Sequence, residues 1–541
     1  MTDQLSMWQR STTRRFLKWL FSWRTARRAL ISFAVLVTLL GLFYAEENVR
    51  GKHAWEKYRR EQEARGGQLD WKAFIPKPVP DEQNFAATPL VQSWFERIKP
   101  HYESWSDRKN KPAGDYYSQV DIDVNAQLRG DPANRHFLDL VAWGTAFDAV
   151  RAGTFSKRQK IKAGKLDLES RAKAAPSVLE GLKSNKAMFA ELRAASQRPY
   201  CRYPINYHVD DPAEILLPHL NRISGTVCRR LLLKTCAELA AGQSDEAFND
   251  VNLMLYMADS LKEEPFVISY LVRLACLGIA IQPIWEGLAE HAWSDAQLQE
   301  LQGRLRQYNL VADMKMPLDA ERALGIETID FVMRKGLGLW LALFGYGSKM
   351  PIDKKFASWV GEIIPRGWYY QEQLNYCRLF QRQLDGAFDA TKNRVSPSRI
   401  ASNKREVGRE IRDGGFGRTV VDFLRHRVMA AMLVWFLDDF PRKGAAAQTA
   451  VDQASLACAL ERYRLANGQF PEKLDALVPQ FVSQLPSDPF TGEPYKYRRT
   501  DDGQFILYSV GWGEKDDGGV PGKTLFDDKE GDWVWQYPSV Q

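Results

Sequence analysis

Seventeen consecutive uncharged residues, Ala29 to Ala45 (ALISFAVLVTLLGLFYA), limit what this chain can become more than any other stretch. As a helix the run covers about 26 Å at ~1.5 Å per residue, just under a hydrocarbon core of about 30 Å. Arg27 and Arg28 can snorkel at one end, and Tyr44 suits the interface at the other. A core helix of this length keeps a polar face, and this run has none, so residues 29–46 read as a transmembrane helix. A cut after Ala45 would put the large Phe43 at the −3 position, so the segment reads as a retained signal-anchor rather than a cleaved leader.

The charge distribution agrees. The formal net charge is +7, and six of those charges fall before residue 29, where Arg10, Arg14, Arg15, Lys18, Arg24, Arg27 and Arg28 face only Asp3. Glu46 and Glu47 follow the run, so the positive-inside rule places residues 1–28 in the cytoplasm as a basic tail. The bulk is then expected outside the inner (cytoplasmic) membrane, in the cell envelope. Trp8, Phe16, Leu17, Trp19, Leu20, Phe21 and Trp23 interleave with the arginines, which fits an interfacial helix or a disordered tail. The rest of the chain is near neutral and offers no bulk charge for a nucleic-acid partner. A mean hydropathy of −0.39 excludes a polytopic membrane protein, and 45% hydrophobic residues exclude full disorder. Six cysteines are too few for a disulfide scaffold.

Residues 47–100 read as a charged helix, Asn48 to Arg65, followed by a proline-rich strap from Gln68 to Pro89. Trp71, Phe74, Ile75 and Phe85 are costly to leave in water, so the strap should lie against the body. Residues 101–440 form the body, whose period is helical. Leu232, Cys236 and Leu239 share one face, and Ser244 reads as the cap of a helix striped by Ala247, Val251, Met254, Ala258 and Leu261. A helix after Pro265 carries Ile268, Leu271, Val272 and Ala275, and Ser294 to Gln297 reads as a capping box. Leu239-Ala-Ala-Gly242 and Ala247 resemble part of a tetratricopeptide repeat, but the full period does not recur, so an irregular solenoid or helical bundle is expected. Leu337 to Phe344 and Val428 to Leu437 are apolar but too short to span, and read as core helices.

Residues 445–541 form a separate α+β module. A helix from Ala445 to Leu465 has Val451, Ala454, Cys458 and Leu465 on one face and Leu456, Leu460 and Tyr463 on another, so it should be covered on two sides. Asn467-Gly468 ends it, a short helix runs from Phe470 to Val478, and Asp488-Pro-Phe-Thr-Gly492 makes a turn. Tyr495 to Arg499 and Phe505 to Tyr508 pair as an antiparallel hairpin through Thr500-Asp-Asp-Gly503. The fold class is therefore mainly α, with this small terminal sheet.

The string Leu460-Glu-Arg-Tyr-Arg-Leu-Ala-Asn-Gly-Gln-Phe-Pro471, with Leu485-Pro-Ser-Asp-Pro-Phe490, Leu507-Tyr-Ser-Val-Gly511 and Asp516-Asp-Gly-Gly519, resembles the soluble domain of the major pseudopilin of type II secretion. That resemblance implies a helix end packed on a small antiparallel sheet, and a last loop held by calcium. The calcium ligands it implies in the Ser509–Asp532 loop come from Asp516, Asp517, Asp527 and Asp528. A solvated acidic loop explains the same letters. The junction cut by prepilin peptidase is not found before Ala29. The remaining chain resembles uncharacterised, singly anchored bacterial membrane proteins ending in the same module, through Arg198-Pro-Tyr-Cys-Arg-Tyr-Pro204, Leu217-Pro-His219 and the strap.

His208, Asp210, Asp211 and His219, flanked by Tyr200, Tyr203 and Tyr207, gather polar chemistry in one loop. They read either as a ligand site or as a tyrosine-packed connection, and no zinc spacing is present. Asp517 to Thr524 only superficially resembles a phosphate loop, because Asp517 stands where the first glycine is needed. No nucleophile elbow or metalloprotease helix occurs, so no reaction is read and no catalytic residue is assigned. The expected function is a membrane-anchored scaffold or binding protein with an envelope protein partner. The alternatives are a component related to type II secretion or pilus assembly, and an envelope enzyme whose site forms from distant residues.

Overall fold

The computed structural model describes residues 19, 22–96, 135–155, 164, 166–336, 363–411, 425–434 and 437–538. Most of the basic tail, residues 101–134 of the body and the apolar run Leu337–Phe344 lie outside the described residues. The chain is mainly helical with small antiparallel sheets. It divides into two compact units, one built from residues 1–67, 329–377 and 414–430, the other from residues 68–328, 378–413 and 431–541.

In the first unit a single α-helix runs without interruption over Trp23–Ala64, about 63 Å at ~1.5 Å per residue. Ser22 caps it by accepting a hydrogen bond from the Thr25 amide at 3.2 Å. The apolar run and the charged segment after it are thus one rod, since no Gly or Pro stands between Phe43 and Arg50 to break it. Its two halves differ in environment. Leu30, Phe33, Leu36, Leu40 and Leu42 are all exposed, and the helix is long and apolar enough to cross a membrane by length and composition. Beyond them Glu47, Gly51, Trp55, Tyr58 and Gln62 are buried at steps of four and three residues, which puts them on one face.

That face is packed at close range by the start of helix Arg366–Leu384. A Cβ on Gly51 would collide with the Gly367 carbonyl, and a Cβ on Gly367 with the Glu47 carbonyl. Polar contacts flank the glycine pair: Trp368 Nε1 donates to Glu47 Oε2 at 3.0 Å, and the Gly367 amide to Asn48 Oδ1 at 2.8 Å. Glu372 accepts from the amides of Val428 and Ala430 at 2.7 and 3.1 Å, capping the helix Val428–Leu433. Gly51→Val should force the two backbones apart and cost about 2 kcal/mol, as overpacking does. Urea unfolding of the detergent-solubilised chain measures it, and an unchanged midpoint would show that the crossing tolerates side chains.

In the second unit the strap lies as expected. Trp71 and Phe85 are buried, and the strap advances through short turns, Trp71–Phe74, Asp81–Gln83 and Phe85–Ala87, rather than as extended chain throughout. The body helices follow the predicted stripes: Leu232, Cys236 and Leu239 are buried, as are Ala247, Val251, Met254, Ala258 and Leu261. The capping box at Ser294 is formed on both sides. Ser244 does not cap; it is the first residue of helix Ser244–Asp259, whose preceding Gln243 makes no side-chain cap.

The stripe expected after Pro265 is also corrected. Helix Val267–Ala289 turns Ile268 and Ala275 outward and buries Val267, Tyr270, Leu274, Leu277, Ile281, Ile284 and Trp285. Apolar residues surround this helix, so spacing alone could not choose its face. Ion pairs accompany the buried face. Arg273 meets Asp313 at 2.7 Å, and Glu286 takes Arg171, the Leu138 amide at 2.8 Å and Gln282 at 3.0 Å. Arg171 also pairs with Glu290 and lies over the Phe137 ring at 4.3 Å.

The terminal helix, Phe440–Asn467, begins five residues earlier than the sequence suggests and ends as expected on Gly468 at φ 78°. Nearly every side chain from Gln448 to Glu461 is buried, while Leu465 is exposed. Helices Val267–Ala289 and Asp295–Leu305 pack on it, as does an antiparallel sheet of Lys496–Arg499, Phe505–Ser509 and Trp533–Trp535. The predicted hairpin is present, with Tyr497 opposite Leu507. The third strand, pairing Trp533 with Ser509 and Trp535 with Leu507, was not anticipated. The expected helix Phe470 to Val478 is only a single turn, Leu474–Leu477.

Within this core the Asp452 carboxylate accepts from Gln448 Nε2 and the Tyr495 hydroxyl, each at 2.9 Å. Burial pushes its pKa up to about 7, outweighing those two bonds. Between about pH 4 and pH 7 the folded protein therefore holds a proton that the unfolded chain has released. Asp452's contribution to stability is full below that window and is lost as the pH rises through it. Asp452→Asn should gain on the wild type across the window, by a few kcal/mol, and keep a constant difference above it. Urea unfolding at stepped pH decides, and parallel stability curves would refute the shift.

Candidate functional site

Three places carry polar chemistry. In the first, the loop expected to bring His208 and His219 together, the structure separates exposed His208 from buried His219. His219 stacks between Tyr203 and Phe95, with ring centroids 4.2 and 5.3 Å away. Its Nε2 lies 2.7 Å from Glu264 Oε1, and Ser269 donates to the other oxygen of Glu264. Asp211 caps its own turn through the Ala213 amide at 2.9 Å, and Asp210 is exposed. The tyrosine-rich segment is where the strap docks. Phe85 N donates to Tyr200 O at 2.8 Å, Arg202 N donates to Asn84 Oδ1 at 2.8 Å, and Trp71 lies against Tyr207. A packed connection, not an open site, explains these residues.

The second place is the acidic loop, Ser509–Asp532. Asp516 accepts from the Tyr508 hydroxyl and the Gly518 amide at 3.1 and 3.0 Å, and Asp517 pairs with Lys515. Asp527 accepts from the amides of Lys529 and Glu530 at 2.8 and 3.1 Å, which hold its carboxyl below the usual range. These bonds tie the carboxylates to their own turns. Among the described residues no three His, Cys, Asp or Glu side chains gather as a metal-holding group.

A residue the sequence reading passed over closes the loop instead. Asp532 is buried and accepts from the Gly519 amide at 2.7 Å and from the Asp517 amide at 3.2 Å. Its position directly before the strand Trp533–Trp535 was the available signal. Asp532→Ala should leave those amides unpaired and cost about 1–3 kcal/mol. Hydrogen exchange of the Asp517 and Gly519 amides reports it directly, and unchanged protection would show that the clamp is dispensable.

The third place is a cleft of about 810 Å³ that the sequence did not disclose. Its walls are the start of helix Lys315–Lys335, the end of helix Arg366–Leu384 and a hairpin of Phe388–Asp389 with Arg394–Val395. Asp389 shapes the hairpin: its Oδ1 accepts from the Thr391 amide and hydroxyl and the Lys392 amide, at 2.9, 2.6 and 3.1 Å. The Thr391 hydroxyl and these amides hold its carboxyl below the usual range. The far strand is pinned to the Asp488–Gly492 turn, since Val395 N donates to Pro489 O at 2.9 Å and Arg394 Nη2 to Phe490 O at 2.6 Å. Gly492, at φ 77°, lets the turn come against the Arg394 guanidinium.

Lys315, Arg322, Lys392 and Arg394 give the cleft its cations, and Leu384, Phe388 and Ala390 its apolar surface. The strands are two residues each and pair locally, so only the Asp389, Thr391 and Asn393 turn letters hinted at them. Comparison of the chain with family models, with curated proteins and with solved structures gives no match.

Proposed function

We propose that this chain is a membrane-tethered scaffold or binding protein of the cell envelope. Its N-terminal helix crosses the inner membrane once, with the basic tail in the cytoplasm and the bulk outside. The observation that carries this reading is the environmental change along one rod. Its first half keeps large apolar side chains exposed, and its second half buries a polar and aromatic face against other helices. Arginines precede the apolar half and Glu46 and Glu47 follow it, which supports the orientation. The helical body, read as an irregular solenoid, supplies the partner surface.

A second reading relates the chain to type II secretion or pilus assembly. It is favoured by the terminal helix packed on a three-stranded antiparallel sheet, the arrangement implied by the resemblance to the major pseudopilin. An envelope enzyme has less behind it, since His219 is enclosed in the core.

Carbonate-washed membranes should retain the full chain, and deletion of residues 29–44 should release it. Protease added to spheroplasts should digest the bulk while sparing an N-terminal tag. Recovery of the intact chain in the carbonate supernatant would overturn the tether, and a protected bulk would overturn the orientation. Crosslinking in intact cells followed by capture separates the two readings, secretion subunits supporting the second.

A further inference from the structure

We propose that the cleft beside the Phe388–Val395 hairpin binds a small organic anion, its carboxylate or phosphate held by the cationic side chains and its hydrocarbon part laid on Leu384, Phe388 and Ala390. This rests on reading the body as a binding protein, and it names the chemistry of what is bound.

Charge balance points to an anion. The cleft is lined by four cations, Lys315, Arg322, Lys392 and Arg394, and by three carboxylates, Asp319, Asp385 and Asp389. Asp385 is already neutralised by Arg399, which lies outside the lining, at 2.5 Å. Asp319 alone serves two cations, Lys315 at 2.6 Å and Arg322 at 3.1 Å. Asp389 spends one oxygen on its turn and leaves the other 3.9 Å from Lys392 Nζ. The four cations thus have two carboxylates between them, and such an excess of positive charge attracts an anion.

Donor supply points to an oxyanion. Arg394 gives Nη2 to the Phe490 carbonyl, a neutral acceptor that leaves the guanidinium charge unbalanced. Guanidinium donors match carboxylate and phosphate oxygens better than any neutral group. The apolar lining then sets the size of the guest. Leu384, Phe388 and Ala390 stay half-buried beside the cations, so a bare inorganic ion leaves this surface unused. A volume of about 810 Å³ suits a small organic molecule.

The test is calorimetric titration of the full chain in phosphatidylcholine nanodiscs with hexyl phosphate, hexanoate, inorganic phosphate and hexanol. Hexyl phosphate and hexanoate should bind saturably, inorganic phosphate about ten-fold more weakly, and hexanol not at all. Lys315 and Lys392 are 71% and 77% exposed, so K315Q/K392Q should fold as the wild type while binding hexyl phosphate about ten-fold more weakly. Phosphatidic acid in the discs separates two sources of the anion. Competition with hexyl phosphate would support the proposal with a lipid headgroup as the source, and binding without competition would support it with a soluble one. No binding of either organic anion at millimolar concentration, equal binding of hexanol, or wild-type affinity in the double variant would overturn it. Because carbonate extraction does not depend on the cleft, such a failure leaves the tether standing.

Discussion

Helix Phe440–Asn467 has almost no face for water, and the second unit is arranged around that constraint. A helix buried all round must be wrapped by other elements, and its interior polar groups must each find a partner. Two body helices cover one side and the terminal sheet another. Gln448 accepts from the Leu310 amide at 2.6 Å, and Gln453 donates to the Trp533 carbonyl at 2.6 Å. Each of these bonds reaches an element distant in sequence. The sheet and the helical body therefore share one core, and the register of the last strand is tied to the same helix that packs the bundle.

This explains which parts could be read from the letters. Local signals were legible: the Ser294 capping box, the Gly468 stop, the Thr500–Gly503 turn and the buried stripe of helix Ser244–Asp259 all depend on neighbours a few residues away. The need to cover the terminal helix on two sides was legible too, because apolar residues occurred on both faces. What covers it was not. The wrong face assigned to helix Val267–Ala289 shows why. Its apolar residues point everywhere, and the buried face carries Glu286 meeting Arg171 and Arg273 meeting Asp313, pairs whose members lie up to 115 residues apart.

The sites follow the same division. His208 and His219 looked like partners because they are close in sequence, yet an aromatic stack encloses one and solvent surrounds the other. The acidic loop looked like a ligand set because its carboxylates are dense, yet Asp516, Asp517 and Asp527 each bond a nearby amide, hydroxyl or lysine, and Asp532 does the closing. The cleft went unseen because its cations come from two separated segments, and nothing about Lys315, Arg322 or Arg394 is unusual locally. Density of chemistry in the chain was a poor guide to density of chemistry in space.

Magnitudes decide what the exposed half of the rod can tolerate. Ten large apolar side chains between Leu30 and Phe43 stand in the open. These side chains are about half exposed, so at about half of 1.5–3 kcal/mol each the driving force is roughly 8–15 kcal/mol, as large as the net stability of a typical domain, about 5–15 kcal/mol. No rearrangement of surface charges can offset a term of that size, so an apolar environment has to be supplied. A protein groove would be one such environment, but it would have no reason to demand charge at both edges of the apolar run. The change from Arg28 to Ala29 and from Ala45 to Glu46 is abrupt at each end and spaced by about one hydrocarbon thickness. That pairing of length with charged edges is compatible with a membrane anchor.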